Sequence, residues 1–242
     1  MKLTHIFIGI LLLFFAVPTH AQWGEKIKGN GNVTQENREV GAYEKISIDG
    51  NIDVVLVEGK EGDIILQAED NLIKYIEVRV VNGALRIKSK DRTELRPSKG
   101  NQILVTVPIQ EVNKISLNGS GEVKGTQTLK SNEIKLQING SGDMYIDVSA
   151  NEVKAAINGS GDITVTGKTD IFEATVTGSG DIEGYGLVAN TCNAKVIGSG
   201  DIECNAKQKL NAKIIGSGDI QINKSVVTIK KKIIGSGDVS KR

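Results

Sequence analysis

Apolar and polar residues alternate along the second half of the chain, on both sides of a recurring glycine-rich segment. The apolar positions around one such segment are Ile134, Leu136, Ile138, Met144, Ile146 and Val148. A period of two residues is typical of β-strands that bury one face. No stretch after residue 21 carries the 3.6-residue stripe of an amphipathic helix. The pattern therefore predicts an all-β protein.

The sequence Gly-Ser-Gly-Asp occurs six times, and a seventh copy carries Glu in place of Asp. The copies begin at residues 119 (the Glu variant), 140, 159, 178, 198, 216 and 235. A turn that recurs about every 19 residues indicates stacked units that cannot bury their apolar faces alone. We therefore predict a β-solenoid of about seven 19-residue coils, each with two main strands. An antiparallel meander folded as a sandwich or barrel explains the alternation equally well, but it does not explain the recurring turn.

The region before residue 111 is less regular and predicts an irregular N-terminal β-cap over residues 43–110. Residues 46–54 resemble a degenerate copy of the repeat, and Asn82-Gly83 between two alternating runs predicts a hairpin. Strands are also predicted at 63–68 and 102–107, and a polar loop at 91–100. The predicted organisation is an N-terminal segment at 22–42, the cap, and the solenoid at 111–242. One continuous domain over 43–239 is the alternative.

The first 21 residues have the layout of a secretory signal peptide. Lys2 precedes an apolar run over residues 6–17, and the small residues Thr19 and Ala21 favour cleavage after Ala21. The run is short for a membrane span, and no later apolar stretch is long enough for one. We therefore predict an exported protein with no transmembrane segment after cleavage.

Composition excludes several functional classes. The chain has 30 basic and 29 acidic residues, a balance that argues against a nucleic-acid partner. The only histidines, His5 and His20, lie in the predicted signal peptide. Without them the mature chain has no Ser-His-Asp triad, no Cys-His pair and no His-ligated metal. We predict no catalytic residues and no cofactor.

The acidic residue that ends each turn is a candidate for binding calcium. The candidates are Asp143, Asp162, Asp181, Asp201, Asp219 and Asp238. Stacked coils place these carboxylates about 5 Å apart, where they repel one another. Backbone N–H groups of the turn would offset the repulsion, and so would a hard, oxygen-preferring cation such as calcium.

The residue before each turn points away from the core and changes from polar to apolar along the stack. The last three are Ile197, Ile215 and Ile234, and we call them the isoleucine stripe. A stacked apolar stripe predicts contact with a second copy or another partner. Alternatively, the last coils curve or their own tail covers the stripe. Nearby, Lys231 occupies an inward position of the last coil, where a lysine discourages edge-to-edge association.

The two cysteines occupy inward positions of the same coil. Cys192 lies six residues before Gly198, and Cys204 lies six residues after it. An exported protein allows a disulfide between them. Two small buried apolar residues are the equal alternative.

These repeats, together with the segment 43–54 that opens the cap, resemble a family of exported bacterial proteins. It is the "putative auto-transporter adhesin, head GIN domain" family, and the resemblance extends over residues 43–239. It implies an all-β, solenoid-like fold and an adhesin-like role, and it supplies no catalytic residues.

The sequence thus predicts a non-enzymatic binding or structural protein of the cell envelope, with a protein or glycan ligand. Its predicted location is the periplasm, the outer membrane or the cell surface, and it is a candidate homo-oligomer. Two alternatives remain. One is a periplasmic scaffold with a protein partner. The other is a β-helix enzyme acting on polysaccharides, which usually clusters its carboxylates at one site.

Overall fold

The computed structural model describes residues 25–242, which form eighteen strands and one short helix. The elements of the N-terminal part are β1 (Glu25–Lys28), β2 (Val33–Glu39), β3 (Lys45–Gly50), β4 (Asp53–Glu58), β5 (Asp63–Glu69), α1 (Asp70–Ile73), β6 (Ile76–Val81), β7 (Ala84–Ser89), β8 (Thr93–Arg96) and β9 (Leu104–Ile109). The elements of the repeat are β10 (Lys114–Gly119), β11 (Glu122–Gly140), β12 (Asp143–Gly159), β13 (Ile163–Gly178), β14 (Ile182–Gly198), β15 (Ile202–Gly216), β16 (Ile220–Ile222), β17 (Thr228–Gly235) and β18 (Val239–Lys241). The predicted signal peptide lies outside the described residues.

The second half of the chain is a β-solenoid of about seven turns with a spacing of roughly 19 residues, as predicted. Each long strand wraps around the core, so that its first part lies on one face and its last part on the other. In β12, Met144, Ile146 and Val148 are buried on one face, and Val153 and Ile157 on the opposite face. Successive coils from β10 to β18 pair in parallel. The antiparallel meander is therefore wrong for this region.

Both glycines of each turn are required by close stacking on the preceding coil. At Gly140 the backbone φ is +136°, a conformation that L side chains rarely adopt. A Cβ on Gly140 would lie 2.3 Å from the carbonyl oxygen of Gly119, and one on Gly142 would lie 2.3 Å from that of Gly121. The serine between them is exposed. The repeat therefore keeps glycine at the first and third positions of the turn.

The N-terminal strands extend the stack. β3 pairs in parallel with β10, and Gly50 lies opposite Gly119, so the segment that resembles a degenerate repeat occupies the position of a coil. The hairpin prediction is confirmed: β6 and β7 are antiparallel around Asn82 and Gly83, which both have positive φ. β7 then pairs in parallel with β3. The buried side chains form one cluster that runs from Tyr43 to Val239.

Two expectations for the N-terminal part need correction. The segment 91–100 is not wholly loop, because it contains β8, which pairs in parallel with β1 more than sixty residues earlier in the chain. The strand expected at 102–107 begins later, at Leu104, and continues to Ile109. Its alternation continues through Pro108, because that residue lies on the exposed side between the buried Val107 and Ile109.

Candidate functional site

The turn aspartates form a ladder that is hydrogen-bonded through the backbone. From Asp162 onward, the N–H of each turn aspartate donates to Oδ1 of the aspartate one coil earlier. The N···O distances are 3.3 Å at Asp162, 2.9 Å at Asp181 and 2.7 Å at each of Asp201, Asp219 and Asp238. The backbone thus supplies the donors that the sequence suggested as one remedy for carboxylate repulsion. The turn aspartates remain untested calcium candidates, and over residues 25–242 no three acidic, Cys or His side chains converge on a metal position.

The residues before the turns form a second ladder in the first half of the stack. Asn118 donates its Nδ2 to Oδ1 of Asp49 at 2.7 Å, Asn139 donates to Asn118 at 2.7 Å, and Asn158 donates to Asn139 at 3.0 Å. The sequence placed these asparagines on the outer face but did not predict this chain of amides. Identical amide residues at one repeat position were the signal for it.

The isoleucine stripe continues the same column toward the C-terminal end. Ile197 lies opposite Ile215, and Ile215 lies opposite Ile234. Ile197 and Ile215 are half-buried by their neighbours, whereas Ile234 keeps 54% of its surface exposed. The three side chains therefore form a continuous apolar strip that is partly accessible along its length and most exposed at Ile234. Its role as an interface remains a prediction.

The two cysteines face each other across the core. Cys192 and Cys204 are fully buried free thiols, and their Sγ atoms lie 2.7 Å apart. Burial, together with the neighbouring Cys204 thiol, raises the pKa of Cys192. A thiol in this state is protonated and poorly nucleophilic. The position is compatible with both alternatives that the sequence left open, a disulfide or two small buried residues, and neither is tested.

An open polar depression of about 690 Å³ lies at the N-terminal end of the stack. Glu61 lines it and accepts backbone N–H groups from Tyr43, Gln110 and Glu111 at 3.3 Å each. The Tyr43 hydroxyl donates to the carbonyl of Pro108, and burial, followed by the charge of Glu61, raises the pKa of Tyr43. The Tyr43 hydroxyl and the Glu61 carboxylate are thus engaged by the fold, and Glu44, Lys45 and Glu111 also line the depression.

Comparison with known proteins assigns the family. A family model described as "putative auto-transporter adhesin, head GIN domain" matches residues 42–225. The chain belongs to the head GIN domain family. The match covers the capping strands and most of the coils, which agrees with the resemblance carried by the repeated turns. No curated protein matches the chain.

Solved structures share the head GIN fold of this chain. A protein from Parabacteroides distasonis named "putative lipid binding protein" is 24% identical with a TM-score of 0.75, over 90% of this chain and 100% of its own. A "putative adhesin" from Bacteroides fragilis is 25% identical with a TM-score of 0.75, over 89% and 100%. A third, also named "putative adhesin", from Parabacteroides merdae, is 21% identical with a TM-score of 0.70, over 90% and 99%.

One feature of the outer face of this head GIN protein was missed by the sequence reasoning. Lys195, Lys213 and Lys232 stack in a column two residues from the isoleucine stripe. Their constant offset from the isoleucines was the available signal.

In the described part of the chain, no helix is long and apolar enough to cross a bilayer.

Proposed function

We propose that this head GIN domain protein is an exported, non-enzymatic binding protein of the cell envelope with an adhesin-like role. The observation that carries the proposal is the outer face of the solenoid, where equivalent side chains stack from coil to coil along a parallel sheet. Such a sheet is a rigid display of repeated surface groups. Family membership supports the same role.

The carboxylates favour binding over catalysis. A polysaccharide-active site usually gathers its acidic residues once, with basic partners and shifted pKa values. Here the turn aspartates recur evenly, and from Asp143 to Asp219 each accepts a backbone N–H from the next coil. We therefore expect no release of reducing ends from a panel of uronic-acid polymers, and such release would contradict the proposal.

The names of the structural neighbours support binding without fixing the ligand. One neighbour is named for lipid binding and two for adhesion. For this chain both are proposals, and they share non-covalent contact with a surface. A periplasmic scaffold with a protein partner is the second candidate, and the isoleucine stripe is the observation that favours it.

Protease accessibility on intact native cells tests the proposal. We expect added protease to digest the protein on intact cells, while periplasmic and cytoplasmic marker proteins stay protected until lysis. A variant that lacks residues 2–21 is the matched control, and it should remain in the cytoplasm. Protection that ends when the outer membrane is opened would favour the scaffold. Retention of the unaltered chain in the cytoplasm would contradict export and both candidates.

A further inference from the structure

One outer face of the last three coils, formed by the last parts of β14 and β15 and by β17, is basic and apolar, and its outward columns carry no acidic side chain. Parallel register aligns four outward columns over β14, β15 and β17, and none of the twelve residues is buried. Five are lysines, three are isoleucines and four are neutral polar residues. The twelve, which we call the lysine-isoleucine face, are Thr191, Asn193, Lys195, Ile197, Lys209, Asn211, Lys213, Ile215, Thr228, Lys230, Lys232 and Ile234.

The same face is charge-balanced in the middle of the stack. Lys154 lies 2.8 Å from a carboxylate oxygen of Glu133 and 3.0 Å from one of Glu152, and Lys135 lies 3.1 Å from Glu133. Among residues 25–242, no ion pair involves any of the five lysines of the lysine-isoleucine face. Its positive charge is therefore available to an external anion.

The geometry brings charge and apolar surface together. Lys195, Lys213 and Lys232 stack at the strand spacing of about 4.8 Å, where ammonium groups repel one another. The isoleucine stripe runs parallel to them, two residues away on each coil. The face measures roughly 10 Å across the coils and 20 Å along the strands. An anionic partner that also offers hydrocarbon would relieve the repulsion and cover the isoleucines together.

We propose that the lysine-isoleucine face docks on the surface of a bilayer that contains anionic phospholipids. Lysine heads reach the phosphates while the isoleucines enter the boundary between headgroups and acyl chains. Basic residues next to an anionic bilayer add to its affinity. This inference rests on the proposed binding function, because it names the ligand.

Other partners fit the face less well. A two-fold contact with a second copy would bring together two faces that each carry five lysines and no acidic residue, so the like charges would repel. A nucleic acid or acidic glycan would use the lysines but leave the isoleucines unpaired, and the face carries no aromatic side chain for base or sugar stacking. Only a surface that is both anionic and apolar uses the two columns together.

Vesicle co-sedimentation tests the proposal with the purified protein. We expect binding to phosphatidylcholine vesicles that contain phosphatidylglycerol, little binding to pure phosphatidylcholine, and weaker binding as salt increases. The triple change Lys195→Gln, Lys213→Gln and Lys232→Gln should weaken binding on the order of 100-fold. The triple change Ile197→Asn, Ile215→Asn and Ile234→Asn should weaken it on the order of tenfold or more at high salt.

A matched control removes the same charge from the same sheet. Lys114→Gln, Lys135→Gln and Lys154→Gln should leave vesicle binding within about twofold, because these lysines lie outside the lysine-isoleucine face. Melting temperatures identify any variant that fails to fold. If the triple lysine variant fails to fold, the double change Lys213→Gln and Lys232→Gln, at two exposed positions, replaces it.

Several outcomes would overturn the inference. These are equal binding to both vesicle types, an equal loss in the control, and binding only to an acidic polysaccharide such as polygalacturonate. A fall in oligomeric state on the isoleucine changes, measured by light scattering, would assign the stripe to a second copy. Absence of vesicle binding by a protein that protease reaches on intact cells would overturn this inference alone. Cytoplasmic retention would overturn the proposed function as well.

Discussion

At the scale of single residues, the turn glycines limit the repeat through space as well as backbone angle. Gly161 is not one of the glycines with a positive φ. A Cβ at this position would nevertheless lie 2.0 Å from the carbonyl oxygen of Gly142. The obstacle is backbone of the neighbouring coil, which cannot move without disturbing the ladder. The third glycine of each turn is therefore a packing requirement.

We expect Gly161→Ala to lower the free energy of unfolding by about 1–3 kcal/mol, because the added methyl group overpacks the turn. Urea unfolding measures the loss. The adjacent Ser160→Ala is the control, since Ser160 is exposed, and it should change stability by less than about 0.5 kcal/mol. Equal stability of the two variants would contradict this account of the glycine.

Glu69 links the segment between β1 and β2 to the segment that follows β8. Its buried carboxylate accepts the backbone N–H of Ser98 at 2.9 Å and the N–H of Gly31. Burial alone would raise the pKa of Glu69, but hydrogen bonds from Ser98 and Gly31 prevail and lower it below the ordinary 4.5. A lowered folded-state pKa stabilises the fold above the unfolded value, and that stabilisation is lost as the pH falls through the folded value.

Glu69→Gln should therefore lower stability at neutral pH by about 1–3 kcal/mol and flatten its decline below pH 4.5. Urea midpoints measured from neutral pH down through this range test both effects. Glu58→Gln, at an exposed glutamate, should leave the acid dependence unchanged. An acid limb in Glu69→Gln as steep as in the unaltered chain would exclude Glu69 as its source.

At the scale of elements, the two strands that meet across one coil bring both cysteines together. Cys192 lies in β14 and Cys204 in β15, twelve residues apart. With oxidised glutathione as electron acceptor, we expect a product two hydrogen atoms lighter, with no titratable thiol after denaturation. The bond should add about 2–3 kcal/mol relative to the reduced chain, since it closes a short loop. Two thiols titrating in the oxidised product would contradict the disulfide.

Strand β17 carries a lysine, Lys231, at a position where the repeat places an inward-facing residue. Lys231 of β17 lies opposite Ala212 yet is exposed, and β17 pairs only with β15 among the described strands. A charge at an open edge disfavours pairing with another chain. The charge of Lys231 thus protects the open edge of β17 from pairing with a strand of another chain.

Lys231→Val should increase concentration-dependent self-association, because it removes this charge and adds a residue with high strand propensity. Light scattering over a concentration series measures the effect. Lys224→Val, at an exposed turn position, removes the same charge away from the edge and should not associate. Association of both variants alike would mean that net charge, rather than edge protection, is responsible.

At the scale of the whole molecule, the aspartate ladder runs the length of the repeat. Calcium binding along it would raise the melting temperature in millimolar calcium relative to EDTA. We expect equal melting temperatures, because backbone N–H groups from the next coil already bond the carboxylates from Asp143 to Asp219. A clear rise in calcium, absent in magnesium, would restore the ladder as a cation site.

How far sequence reasoning reached depended on whether a feature repeats. The inward alternation around Met144 and Ile157 and the stacking of Ile197 on Ile215 were predictable, because each coil pairs with a copy of itself. The pairing of β1 with β8 was not, since neither strand belongs to the repeat and the contact spans a long separation. The late start of β9 was missed because this strand also lies outside the repeat.

The sequence by itself determined the coil, its turn and its buried face, because a period of two residues within a period of about 19 leaves one register in which all glycines stack. Tertiary structure alone decided which surface groups have partners. Lys154 is neutralised by Glu133 and Glu152, whereas Lys213 stands between two other lysines. That difference arises from the neighbours that adjacent coils bring alongside each position, so the charge of the outer face emerges only when the coils are stacked.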